Sequence, residues 1–153
     1  MFNFFKKEEF KIVSPVDGTL IPLGEVPDQM FSQKMMGDGF AVIPASDLVI
    51  APISGVAESV FPTGHAVGIK TKDGIECIVH IGLDTVDLNG EGFKPLIRQG
   101  DKVKAGQPIV EIERQKIEDK GYKTVTMVVF PAGYTKEFNL GKKTTKAGEV
   151  LVK

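Results

Sequence analysis

An all-β sandwich or barrel is the fold class this sequence predicts. Three observations carry that expectation. Short runs rich in β-branched residues recur along the chain, 17 glycines and 9 prolines punctuate them, and helical periodicity is weak. With 153 residues, 42% of them hydrophobic, the chain has enough apolar material for one compact domain with a real core.

Taken in chain order, residues 1–11 (MFNFFKKEEFK) set four phenylalanines among charges. They lack the apolar core and small-residue cleavage site of a signal peptide. They read as a flexible N-terminal tail ahead of a single domain over 12–153, a weak membrane-surface helix being the lesser alternative. Strand-like runs follow at 40–44, 48–51, 67–69, 75–81, 108–112 and 124–130. One helical turn is expected near 27–31, another near 92–99, and a third short helix in the charged stretch 113–120. Two segments echo each other, Ser14-Pro15-Val16-Asp17-Gly18 and Ala51-Pro52-Ile53-Ser54-Gly55, and such a half repeat implies paired structural units.

Composition removes several function classes. A formal net charge of −1 without a Lys/Arg stripe leaves no electrostatic footprint for nucleic acid. No apolar run is long enough for a transmembrane segment. The lone Cys77 excludes an internal disulfide and fits a soluble, cytoplasmic protein.

The chemistry concentrates on the two histidines, His65 and His80. The runs 65–70 and 75–81 are joined by Thr71-Lys72-Asp73-Gly74, a turn-forming segment, so together they read as a β-hairpin. A turn centred between Lys72 and Asp73 pairs residue 70 with 75 and residue 65 with 80, which brings the two Cβ atoms to within about 5 Å. A glycine bulge at Gly74 or an Asp-Gly turn would slip that pairing by one or two positions. Two imidazoles so placed can share one phosphate or metal, and imidazole is neutral and nucleophilic near pH 7.

Residues around the pair have two readings each. Gly82 leaves room for a partner or phosphate to approach the backbone. Asp84 could fix a ring or a transferring group, or it could be an Asx-turn or cap residue before Thr85. Thr63 could orient the ring of His65, or be a turn hydroxyl after Pro62. The Gly37-Asp38-Gly39 loop could cradle an anion but lacks the Lys and Ser/Thr of a nucleotide P-loop, so a turn is its default reading. Cys77, three residues before His80, points to the opposite face of a regular strand and belongs in the core.

Over nearly its whole length the chain resembles the glucose-type IIA components of the bacterial phosphoenolpyruvate-dependent sugar phosphotransferase system. The residues carrying the resemblance run from Ser14-Pro15-Val16-Asp17-Gly18 through Glu25-Val26-Pro27-Asp28 and Met36-Gly37-Asp38-Gly39 to Gly148-Glu149-Val150. The most specific are 79–86 (VHIGLDTV), 88–93 (LNGEGF) and 63–66 (TGHA). The phrase 100–110 separately resembles turn-and-strand phrases of biotinyl and lipoyl carrier domains, which build hybrid-motif folds; Lys34-Met35-Met36 matches their modified lysine only superficially.

The resemblance implies an antiparallel β-sandwich or flattened barrel of duplicated hybrid-motif type. It implies that His80 accepts a phosphoryl group at Nε2 from the small carrier HPr and donates it to a cysteine of a sugar-specific IIB domain. His65 would then be the second active-site histidine, Thr63 the residue that orients it, and Asp38 and Asp84 the flanking carboxylates. A site serving two successive partners should be shallow and rimmed by exposed apolar residues. Phe40, Val42, Phe61, Ile78 and Val86 are the candidates for that rim, with core as their ordinary alternative. No cofactor is expected, apart from an interfacial zinc that His65 and His80 could hold with a partner's carboxylate. Regulatory target proteins are a further implied class of partner. The sugar is not legible, since specificity belongs mainly to IIB and IIC.

A zinc peptidase is the enzymatic rival, because His80 to Asp84 formally matches an H-x-x-x-D spacing. Those enzymes also need an H-x-H, which two histidines at 65 and 80 do not provide, and a catalytic zinc normally has three protein ligands.

Overall fold

The computed structural model describes residues 9–153. Its strands are β1 (Ile12–Val13), β2 (Gly18–Pro22), β3 (Asp38–Pro44), β4 (Leu48–Ile50), β5 (Gly55–Val60), β6 (Ala66–Lys70), β7 (Glu76–Ile81), β8 (Phe93–Pro95), β9 (Lys102–Val103), β10 (Pro108–Ile112), β11 (Thr126–Ala132), β12 (Lys143–Thr145) and β13 (Val150–Val152). Two short helices accompany them, α1 (Gln29–Ser32) and α2 (Arg114–Asp119). Of the tail assigned to 1–11, the first eight residues lie outside the described ones; Phe10 packs against Tyr134 with ring centroids 5.8 Å apart.

The strands form one large antiparallel sheet in the order β12-β2-β3-β11-β7-β6-β5-β9, a three-stranded sheet β4-β10-β8, and the pair β1-β13. The large sheet does not close, so the fold is a sandwich with β12 and β9 as its edges. Between the large sheet and the smaller ones lies the main core, where Leu20, Phe40, Val42, Val67, Val79 and Val128 meet Val49, Ile109 and Val110. On the other face of the large sheet, Ile21, Ala41, Met127 and Val129 pack under Leu23, Val26, Phe31, Leu83 and Val125. That second, smaller cluster is where the histidines sit.

The half repeat folds as paired units. The Val13 amide donates to the Pro52 carbonyl, and the Ile50 amide donates to the Pro15 carbonyl, both at 2.8 Å, so the two segments hold each other reciprocally. Ser14 exchanges bonds with Gly148 and Glu149 as Ala51 does with Gly106 and Gln107. Gly18 and Gly55, the matching glycines, each open a strand of the large sheet.

Several sequence expectations shift. The run 92–99 is not helical: residues 93–95 form β8, which pairs with β10 and so gains ladder bonds that one isolated turn could not supply. The turn expected at 27–31 forms two residues later as α1, because Asp28 caps it from outside, its side chain accepting from the Met30 amide at 2.9 Å. Strand β5 escaped the sequence reading since Glu58 and Ser59 interrupt its apolar residues.

Register in the key hairpin differs by one. Lys70 pairs with Glu76 and Ala66 with His80, so the 65-to-80 pairing is not formed. Gly74 is the cause. It adopts φ +90° and donates to the Thr71 carbonyl, which makes a longer loop closed by the Thr71 amide on Ile75.

Candidate functional site

Strand β7 alternates along its length, with Cys77, Val79 and Ile81 buried in the main core while Glu76, Ile78 and His80 face the second cluster, half exposed. His80 lies opposite Met127 of β11 and Ala66 of β6. His65 stands just before β6, in the bend that follows the turn Phe61-Pro62-Thr63-Gly64. Its carbonyl accepts from the Ile81 amide at 2.7 Å, which places the backbone opposite residue 81. Outside the regular strand, its ring is free to lie against His80, and the two centroids are 5.2 Å apart with the planes at 82°.

Each imidazole is held by a second group. Nδ1 of His80 is 3.0 Å from the Gly82 carbonyl oxygen. A carbonyl only accepts, so Nδ1 carries the proton and Nε2 of the neutral ring keeps its lone pair. Nδ1 of His65 is hydrogen-bonded to the Thr63 hydroxyl. Phe31 lies 5.0 Å from the His80 ring and Phe61 5.3 Å from that of His65.

Burial and the neighbouring His65 push the His80 pKa down to about 4, outweighing the Gly82 bond and the carboxylates of Asp28 and Asp84, which act the other way. Burial likewise lowers the pKa of His65. Both shifts favour the neutral form of the ring. His80 opens on a shallow hollow of about 170 Å³ shared by Asp28, Met30, Phe31, Met36, Asp84, Thr85 and Val86.

The sequence model of the phosphoenolpyruvate-dependent sugar phosphotransferase system, EIIA 1, matches residues 10–135. The chain belongs to the EIIA 1 family of that system. Similar to it are the glucose-specific EIIA components of Halalkalibacterium halodurans, 48% identical over 122 residues and covering 80% of this chain and 70% of its own, and of Mycoplasma capricolum, 42% identical over 147 residues and covering 96% and 92%. The glucose-specific EIICBA component of Staphylococcus saprophyticus is 44% identical over 124 residues, and this chain spans 18% of its length. The solved glucose permease IIA from Mycoplasma capricolum matches 97% of both chains with a TM-score of 0.89 at 39% identity.

Against this EIIA 1 fold, the expected site residues divide. His80, His65, Thr63 and Asp84 come together. Asp84 has φ +59° and makes no side-chain cap bond to the turn Thr85–Leu88, so its carboxylate stays free beside the hollow. Asp38 does not join them: it opens β3 opposite Phe130, lies 3.4 Å from Lys34, and lines a different hollow with Phe138. The second carboxylate at the site is Asp28. Its signal in the sequence was a cap position, Asp ahead of a short apolar turn, directly after Pro27.

The apolar rim also needs correction. Phe40 and Val42 are 1% and 0% exposed, since their parity on β3 aims them into the main core. Phe61 and Val86, 46% and 50% exposed, do form a rim, joined by Met30 at 48%. Ile78 is half-buried against the second cluster. Gly82 offers no open approach either: a Cβ there would meet the Thr85 methyl at 2.4 Å and the Lys123 carbonyl at 2.7 Å. Its part is to supply the carbonyl that His80 grips.

Cys77 is buried in the main core, and burial raises its thiol pKa, so it is neither ligand nor nucleophile. Among the described residues no three His, Cys, Asp or Glu side chains group to hold a metal. His65 and His80 alone fall short of the three protein ligands a catalytic zinc takes. Among the same residues no helix is long and apolar enough to cross a membrane.

Proposed function

We propose that this chain is a histidine phosphoryl carrier, accepting phosphate from phospho-HPr on Nε2 of His80 and passing it to a cysteine of a sugar-specific IIB domain. One observation carries the reading: the Gly82 carbonyl occupies Nδ1 of His80, which leaves Nε2 as the lone pair aimed outward beside a second imidazole. In acceptance, that lone pair attacks phosphorus while the P–N bond of the donor breaks. In donation, the partner thiolate attacks, an S–P bond forms and the P–N bond to His80 breaks. Positioning and charge stabilisation are what such a transfer requires of the protein.

His65 supports both halves by donating Nε2–H to a phosphate oxygen, provided the Thr63 hydroxyl donates to its Nδ1. The hydroxyl is in place for that. The exposed ring of Met30, Phe61 and Val86 suits docking of two partners in turn, and the added charge of a phosphoryl group, roughly −1.5 to −2, would change what the same face binds, which also supports a regulatory role. Glucose is the sugar we assign, following the names of the relatives. An interfacial zinc would need a partner's ligand beside His65 and His80. The single reduced thiol suits the cytoplasm, where we place this chemistry.

The test is incubation of the chain with phosphoenolpyruvate, Enzyme I and HPr, followed by intact mass and acid treatment. One acid-labile phosphate, lost in His80→Ala, is the expected result. Full labelling of His80→Ala would sink the assignment.

A further inference from the structure

We infer that Thr85 is a positioning residue for phosphoryl acceptance, holding the Gly82 carbonyl that keeps the proton on Nδ1 of His80. The inference rests on the reading of His80 as the acceptor.

Two successive peptide planes leave β7, and each is pinned at both ends. In the first, Ile81 to Gly82, the Gly82 amide donates to the Val125 carbonyl at 2.8 Å and the Ile81 carbonyl accepts the Thr85 hydroxyl at 2.5 Å. In the second, Gly82 to Leu83, the Leu83 amide donates to the Lys123 carbonyl at 3.2 Å and the Gly82 carbonyl accepts from His80. Apart from His80 itself, Thr85 is the side chain in this set of anchors. It is fully buried, and its methyl lies 2.4 Å from where a Cβ on Gly82 would be.

Without the hydroxyl, the first plane loses one anchor and the second, hinged on Gly82, turns with it. Once its carbonyl partner moves, the imidazole is no longer held to one tautomer. The tautomer with hydrogen on Nε2 has no lone pair there and accepts nothing. Thr85 thus acts through Gly82 and touches neither phosphate nor donor.

The decisive experiment is long-range ¹H–¹⁵N correlation of the His80 ring at neutral pH in the unmodified chain, Thr85→Val and Thr85→Ser, beside the rate of labelling by phospho-HPr. The unmodified ring should carry hydrogen on Nδ1. Thr85→Val should show a mixture of tautomers and label about tenfold more slowly, the equivalent of one net hydrogen bond; Thr85→Ser, which keeps the hydroxyl, should restore both. A Thr85→Val ring still protonated only on Nδ1 overturns the inference, whatever the rate. So does an unmodified chain with hydrogen on Nε2, a result that stands even if Thr85→Val does not fold. Failure of the unmodified chain to accept phosphate would refute the carrier reading instead, while the tautomer comparison still decides the role of Thr85.

Discussion

The rings of His65 and His80 meet edge to face, 5.2 Å apart, although neither residue stands opposite the other in the β6–β7 ladder. The contact exists because His65 falls in the bend before β6, where its ring is not tied to the alternation of a strand. One ring is fixed by Gly82 and the other by Thr63, so the orientation of each is set independently.

That independence separates the two half-reactions. His65→Gln should still accept phosphate from HPr on His80 but pass it to IIB at least about a hundredfold more slowly, the loss of a group acting in the transition state. Stopped-flow transfer to a IIB domain checks it, and normal onward transfer would remove His65 from the mechanism.

Stability should fall as pH drops through the titration of His80. With its pKa at about 4 in the folded state against an ordinary 6.5, the unfolded chain binds more protons between those values. Stability is therefore greatest above about pH 6.5, declines as the pH falls, and levels off below about 4, by on the order of 3 kcal/mol from this group. Urea melts across pH 4–7.5 should show a shallower slope for His80→Gln. An unchanged slope would mean that His80 is not held neutral by burial.

Gly82→Ala should be among the costliest single changes in the chain. The position has φ +81°, and the new Cβ would press on the Thr85 methyl and the Lys123 carbonyl. A loss of roughly 2–4 kcal/mol is expected, with slowed labelling of whatever remains folded. A thermal melt within a degree of the unmodified protein would contradict the geometry.

Phe31 and Val86 border the same hollow and should behave differently. Phe31 is buried and packs on His80, so Phe31→Ala should cost about 3–5 kcal/mol. Val86 is half exposed, so Val86→Ala should change stability by under about 0.5 kcal/mol while weakening transfer between partners. Equal destabilisation by the two would show the rim to be core.

Much of this was legible in the sequence. The short β-branched runs mapped onto β3, β4, β6, β7, β10 and β11, and the half repeat onto the two segments that hold each other through Pro15 and Pro52. The charged stretch at 113–120 formed α2 nearly as expected. The hairpin register slipped by one because Gly74 took the left-handed conformation, a choice the tetrapeptide leaves open. The resemblance points to Asp38 as a flanking carboxylate, whereas the place of Asp28 beside His80 depends on where α1 folds over the sheet. For Phe40 and Val42 the sequence leaves rim and core both open, because period-two alternation says which residues share a face but not which face meets water.

By itself, then, the sequence determined what depends on neighbours in the chain: strand-like runs, glycine turns, and two histidines on adjoining segments. Those follow from local backbone preference and side-chain type. Only the tertiary structure decided which carboxylate stands beside His80, which apolar residues are exposed, and which ring nitrogen is free. Each of those turns on contacts across β7, β11, α1 and the turn at 82–85, and such contacts are set by sheet register and packing that no single segment encodes.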